Sequence, residues 1–140
     1  MSDNKILLIE DDKFTRELYE EVIRDAGYGI DTAVNGQEGL AKIHQGGWDL
    51  ILLDVMMPKM DGIDVLRKLK DDPPKTSNGP VIILTNLTND PVLNAAYGLN
   101  AIDFVVKSNI TPGDLLSYIK KYLNNSKNPK SQEVIPQKAS

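Results

Sequence analysis

Four apolar runs in this 140-residue chain each end in a side chain that can take part in polar chemistry. Glu10 and Asp11 follow the first run, Asp54 follows another, and Thr85 and Lys107 follow the last two. Three carboxylates, a hydroxyl and an ammonium are suited to hold a hard divalent cation and a phosphoryl group. Mg²⁺ binds through one or two carboxylates, keeps several waters and shares phosphate oxygens. A carboxylate can also act as a nucleophile and form an aspartyl phosphate.

The apolar runs are typical of buried strands in a parallel sheet with helices on both faces. They cover 6–9, 50–53, 81–84 and 104–106, and a weaker strand is expected at about 30–34. A segment with helical periodicity follows each run, so a strand–helix unit is repeated five times, as (βα)5. This alternation predicts an α/β fold with a doubly wound, five-stranded parallel sheet. Every strand-to-helix connection then lies at one edge, where the polar strand-end residues should converge.

Helix signals support this alternation. Asp90–Pro91 and Thr111–Pro112 are typical helix starts. The first helix is expected to bury one apolar face, made of Phe14, Leu18, Val22, Tyr19, Ile23 and Ala26. The polar, proline-rich segment 71–80 joins a helix end to a strand start, so we expect it at the edge opposite Asp54, as structural padding.

Composition narrows the class of protein. The net charge of −4 argues against nucleic acid as the main partner. The lack of cysteine excludes disulfides, thiolate metal sites and a cysteine nucleophile. The first residues are polar and lack the apolar core of a signal peptide, and no apolar run approaches the roughly 18 residues of a membrane span. We therefore expect a cytoplasmic protein without membrane contact. We expect one domain over residues 1–123 and a disordered tail over 124–140.

The sequence resembles the receiver domain of two-component response regulators, the CheY-like proteins. The resemblance covers about residues 5–123 and is carried by Ile6–Asp12 with Arg16, by Asp54–Gly62, by Val81–Thr85 and by Phe104–Lys107. It implies a flavodoxin-like sheet with strand order 2-1-3-4-5.

The resemblance also implies a set of roles at the acidic residues. Asp54 would be the phospho-acceptor. Mg²⁺ would be the cofactor, bound by Asp11, Asp54 and the backbone carbonyl of Met56, with Glu10 acting through water. The phosphoryl donor would be a sensor histidine kinase or a histidine phosphotransfer protein, and often a small phosphodonor.

A further part of the resemblance concerns switching. Thr85 and Lys107 would be the switch hydroxyl and the phosphate-binding lysine, and Phe104 the switch aromatic. Phosphorylation would then alter a face of the fourth helix, fifth strand and fifth helix that binds an unknown downstream protein. The chain would take part in its own phosphorylation and dephosphorylation without being a conventional enzyme. We expect no DNA-binding or enzymatic domain to follow, and hence a stand-alone receiver.

Two positions depart from the family pattern. Ser108 follows Lys107 where Pro is usual, often in a cis bond. This bond is either trans or carries the strain of a non-Pro cis bond, about 2.5–4 kcal/mol. Asn86 follows Thr85 where Ala or Gly is usual, and it would crowd access to Asp54 or add a hydrogen bond. Both keep open an alternative, a non-switching receiver-like scaffold that binds a partner without phosphorylation.

Several residues allow two interpretations. Asp12 could join the metal site, but we favour a residue that faces solvent or caps the first helix. His44 could carry a phosphoryl group, but we favour a surface role. Phe104 could equally be plain core. Met56, with Met57 and Met60, could form a partner surface, but we favour loop packing, and Met56 and Leu87 could shield a phosphoryl group from water, which predicts slow self-dephosphorylation.

Overall fold

The computed structural model describes residues 4–86 and 90–127, and the statements below concern these residues. Strands and helices alternate along the chain as β1 (Lys5–Ile9), α1 (Lys13–Asp25), β2 (Gly29–Ala33), α2 (Gly36–Gln45), β3 (Leu50–Asp54), α3 (Gly62–Asp71), β4 (Val81–Thr85), α4 (Asp90–Gly98), β5 (Asp103–Val106) and α5 (Pro112–Lys127). A short 3-10 turn, Lys107–Asn109, joins β5 to α5. The predicted fivefold strand–helix alternation is confirmed.

The five strands form one parallel sheet in the order β2-β1-β3-β4-β5. Its register aligns Ile9 with Leu53 and Asp54 with Leu84, so β1, β3 and β4 end at nearly the same level. This confirms the predicted fold class and strand order. It also brings the ends of β1, β3, β4 and β5 to one edge of the sheet, called the rim below.

Helices cover both faces of the sheet. Because successive strand residues point to opposite faces, β1 sends Ile6 and Leu8 to one side and Leu7 and Ile9 to the other. The first side packs against α1 and α5, and the second against α2, α3 and α4. β3 is buried along its whole length. Burial on both faces explains why β1 and β3 are continuous apolar runs.

The buried face of α1 differs from the predicted one. Tyr19 and Ile23 are buried, whereas Phe14 is 76% exposed and Leu18 36% exposed. Phe14 lies nine residues before Ile23 and hence about 180° around the helix from it. Ala26 is exposed because it follows the end of α1. Two sets of apolar residues in α1 have helical spacing. The sheet contacts only the set that contains Tyr19 and Ile23.

The last helix continues past the end of the apolar pattern. α5 ends at Lys127 and not at Leu123, where the domain boundary was expected. Residues 128–140, most of the predicted disordered tail, lie outside the described residues.

The edge opposite the rim is fastened by the segment 71–80, in the place predicted for it. The Asn78 side chain accepts from the Trp48 amide at 3.0 Å and donates to the Ile43 carbonyl at 3.1 Å. The Gly79 amide donates to the Trp48 carbonyl at 2.6 Å. The segment is therefore bonded to the α2–β3 connection and is more than padding. Within residues 4–86 and 90–127, no helix combines the length and apolar content that crossing a membrane requires.

Candidate functional site

The β1–α1 connection holds the first acids of the site. The Asp12 side chain accepts a hydrogen bond from the Thr15 amide at 2.8 Å and caps α1. This confirms the cap interpretation, and the bonds to Thr15 lower the pKa of Asp12. The Asp12 amide donates in turn to Glu10 Oε2 at 3.1 Å. Asp12 thus serves as the N-cap of α1, and the Glu10 side chain is buried.

Three carboxylates meet at the rim and are called the acidic cluster below. Glu10, Asp11 and Asp54 each offer an oxygen, and these atoms lie within 4.8 Å of one another. Glu10 is fully buried, Asp54 is buried and Asp11 is half-buried. Buried like charges are costly unless a cation compensates them. The sequence prediction that these acids converge is confirmed.

Lys107 supplies a cation to the acidic cluster. Its Nζ donates to Glu10 Oε1 at 2.8 Å and to Asp54 Oδ2 at 3.4 Å. Burial alone would lower the pKa of Lys107, but the bonds and charges of Glu10 and Asp54 outweigh it and raise this pKa. The Lys107–Ser108 peptide bond is trans, as are the other peptide bonds of the described residues. The 3-10 turn therefore directs Lys107 to the acids without a cis bond.

The Asp54 carboxyl is strongly perturbed. Burial raises its pKa to about 7, and the charge of Glu10 adds to the shift, whereas Lys107 and the Met56 amide oppose it. The Met56 amide donates to Asp54 Oδ1 at 3.2 Å. Near neutral pH the carboxyl is therefore divided between its protonated and ionised forms, and a cation at the cluster would favour the ionised one.

Thr85 lies at the same rim, at the end of β4. Its side chain is fully buried, and it follows Leu84, the register partner of Asp54. Asn86 is exposed. Leu87, expected to shield the site, lies outside the described residues.

Phe104 lies on β5, half-buried against the core. Its ring meets that of Tyr97 on α4 edge-on, with centroids 6.2 Å apart and planes at 63°. Burial, together with the nearby buried Asp103, raises the pKa of Tyr97 to about 12. Sequence reasoning missed this aromatic pair, because only the packing of α4 against β5 brings the two rings together.

The β3–α3 loop packs closely over the end of β3. Met57 is buried and Met60 half-buried, as the loop-packing interpretation predicts, but Met56 is 60% exposed. The Gly62 amide donates to the Val55 carbonyl at 2.9 Å, and a Cβ at Gly62 would lie 2.6 Å from the Asp54 carbonyl oxygen. Glycine at this position lets α3 start directly beside the end of β3.

His44 lies apart from the acidic cluster. Its Nε2 is 2.7 Å from the backbone oxygen of Asp72, just after α3. The contact joins the last turn of α2 to the start of the segment 71–80. His44 is half-buried there, so the favoured surface role is met only in part, and no described contact places the imidazole near the acids.

The donor set fits a hard divalent cation. Carboxylate oxygens are the ligands that Mg²⁺ prefers, and it uses few of them. Glu10, Asp11 and Asp54 have the chemistry and mutual distances to hold such an ion directly or through water. A cation there would also offset their repulsion.

Comparison with known proteins agrees with this geometry. The family described as "Response regulator receiver domain" matches residues 6–120. The CpxR homolog of Haemophilus influenzae, a transcriptional regulatory protein, is 36% identical over 126 residues, which are 90% of this chain and 53% of that protein. Hybrid signal transduction histidine kinase B of Dictyostelium discoideum is 34% identical over 86% of this chain and 7% of its own length. The chain thus spans about half or less of these relatives.

Among solved structures, a CheY-like receiver domain protein from Methanospirillum hungatei JF-1 superposes with a TM-score of 0.81 at 26% identity, covering 91% of this chain and 99% of that one. The match includes the strand order and the helices between the strands. The chain belongs to the response regulator receiver domain family.

Proposed function

We propose that this receiver domain accepts a phosphoryl group on Asp54, in a step that depends on Mg²⁺, from a histidine kinase or a histidine phosphotransfer protein. The observation that carries the proposal is the convergence of Glu10, Asp11, Asp54 and Lys107 at the rim, with the acid oxygens within 4.8 Å of one another. Phosphoryl transfer needs mainly positioning and compensation of charge, and this cluster offers both.

In the transfer step, an ionised Asp54 oxygen bonds to phosphorus while the bond from phosphorus to the donor nitrogen breaks. The electron pair of that bond leaves with the donor imidazole, so no oxidant or further reactant is required. Lys107, 3.4 Å from Asp54 Oδ2, is placed to exchange its carboxylate contact for phosphoryl oxygens. Bound Mg²⁺ supplies positive charge to the phosphoryl oxygens and the acidic cluster.

Exposed apolar side chains support a protein as the donor. Phe14, Leu18 and Met56 are 76%, 36% and 60% exposed, and they belong to α1 and the β3–α3 loop, the elements that follow β1 and β3 at the rim. Scattered exposed apolar residues are common, but exposed ones on elements that begin at the rim are available to a protein partner. A small phosphodonor would need none of them.

The same proposal includes a conformational switch that involves β4, β5 and the helices beside them. Thr85 would move toward the phosphoryl group, and Phe104 would change its packing against Tyr97, which would alter the face formed by α4, β5 and α5. This face would bind the downstream partner. α5 and Ile110 before it line a recess of ≈ 390 Å³, which offers room for a partner side chain.

The test is phosphorylation by acetyl phosphate with and without Mg²⁺, read by intact mass. We expect the gain of one phosphoryl mass in the wild type only when Mg²⁺ is present, and none in Asp54→Asn. Asp12→Asn is the matched control, since it removes a neighbouring charge but keeps an N-cap residue, and it should still be labelled.

The absence of labelling in a correctly folded wild type, judged by circular dichroism, would contradict transfer from small donors. A purified, phosphorylated histidine phosphotransfer protein then serves as the second donor. Failure with both would refute the proposal and favour the phosphorylation-independent scaffold.

A further inference from the structure

Arg16 makes contacts that the chemistry above does not use. One guanidinium nitrogen, Nη1, donates to the Glu10 carbonyl at 3.0 Å and to the Asp11 carbonyl at 3.2 Å. These two carbonyls belong to the residues that bear two of the three carboxylates of the acidic cluster. The guanidinium thus fixes the backbone of the β1–α1 connection from the α1 side.

The position of Arg16 in α1 explains how it reaches back. Its amide donates to the Asp12 carbonyl at 2.9 Å, the first bond of the helix. Side chains in a helix point toward its N-terminus, so a long side chain one turn into α1 covers the residues before the cap. The two N–H groups of Nη1 are donated to the two neighbouring carbonyls at once.

We propose that Arg16 is a positioning residue of the metal site, which holds the Glu10 and Asp11 peptide units so that both carboxylates face Asp54. This inference rests on the proposed Mg²⁺-dependent function. Arg16 touches neither the carboxylates nor a phosphoryl group. It acts together with the Asp12 amide, which holds Glu10 Oε2 at 3.1 Å. Backbone and carboxylate of the connection are then both fixed before a cation arrives.

Two variants separate positioning from charge. Arg16→Met keeps the apolar stem and loses all donors, and Arg16→Lys keeps the charge but ends one atom short of the position of Nη1. The matched control is Arg24→Met on the same helix, whose guanidinium is exposed and pairs with Glu20. Partners that orient metal ligands typically change metal affinity by about 10- to 100-fold.

The measurement is calorimetric titration with Mg²⁺ alone, with urea unfolding of each variant alongside. We expect the dissociation constant to rise about tenfold in Arg16→Met and about threefold or more in Arg16→Lys, with no change in Arg24→Met. The Mg²⁺ concentration that half-saturates acetyl-phosphate labelling should rise in parallel, while the rate at saturating Mg²⁺ is recovered. A role in stability alone would shift the urea midpoint of unfolding but leave the Mg²⁺ dissociation constant unchanged.

Each outcome decides a different point. Wild-type affinity in Arg16→Met overturns the inference, and wild-type affinity in Arg16→Lys shows that charge alone matters and overturns it too. A wild type that binds no Mg²⁺ refutes the proposed function itself. If Arg16→Met does not fold, Arg16→Lys decides the question.

Discussion

Replacing the Asp54 carboxyl by an amide should stabilise the fold, and more so as the pH rises. The pKa of Asp54 is raised from 3.8 to about 7, chiefly by burial. Between these two values the folded protein holds a proton that the unfolded chain has released. Stability therefore falls as pH rises through this interval, and the loss is complete above about pH 7. Asp54→Asn has no such proton, so its stability should not fall for this reason.

The size of the effect follows from the shift. The pKa rises by about three units, and each pKa unit corresponds to about 1.36 kcal/mol, so the gain in the free energy of unfolding is at most about 4 kcal/mol. Solvent screening and the loss of the charge contact with Lys107 reduce this, and we expect a gain of about 2 kcal/mol above pH 7. Near pH 4 the wild type and Asp54→Asn should differ little.

The assay is urea unfolding followed by far-ultraviolet circular dichroism at several pH values, with free energies from linear extrapolation. Asp71→Asn, at the exposed end of α3, is the control for removing a carboxylate away from the site. Adding Mg²⁺ should reduce the difference between wild type and Asp54→Asn, because the cation binds the folded wild type. A difference independent of pH, or a destabilised Asp54→Asn above pH 7, would refute the reasoning.

Three further predictions follow from the β3–α3 loop. Lys59 has a φ of +69°, so Lys59→Gly should raise stability by about 1 kcal/mol, seen as a higher melting temperature; an unchanged value would show that the strain is relieved elsewhere. A Cβ at Gly36 would lie 2.4 Å from the Met60 carbonyl oxygen, so Gly36→Ala should cost about 1–3 kcal/mol in urea unfolding, and a neutral result would contradict this close packing. Met56→Glu or Met56→Asn should speed loss of the phosphoryl group from Asp54, whereas the phosphorylated wild type should last minutes or longer. Equal decay rates of variant and wild type, followed by intact mass, would contradict the shielding role.

The sequence was most informative for the strands that are buried on both faces of the sheet. Continuous apolar runs predict β1 and β3, and the acids that follow them are then expected at the rim. Asp54 and Lys107 could be paired in advance because the carboxyl ends of parallel strands share one edge. Topology alone was sufficient for this part of the site.

Choices between near-equal alternatives were not predictable. In α1, the stripe with Phe14 and the stripe with Ile23 both have helical spacing, and only docking on the sheet selects one. The contacts of Arg16 depend on the conformation of two carbonyls, which the residue types do not encode. The Phe104–Tyr97 pair depends on how α4 lies over β5. Such tertiary details override local patterns.

The position of Trp48 has an optical consequence. It is the only tryptophan of the chain, it is buried, and its indole Nε1 donates to the Lys42 carbonyl at 2.7 Å. It precedes β3, whereas Asp54 ends that strand, so the fluorophore and the Asp54 carboxylate sit at opposite edges of the sheet. Intrinsic emission should therefore shift to the red on unfolding yet stay almost silent during phosphorylation. A signal for the latter calls for a reporter at the rim, and the exposed Met56 position is a suitable place for one.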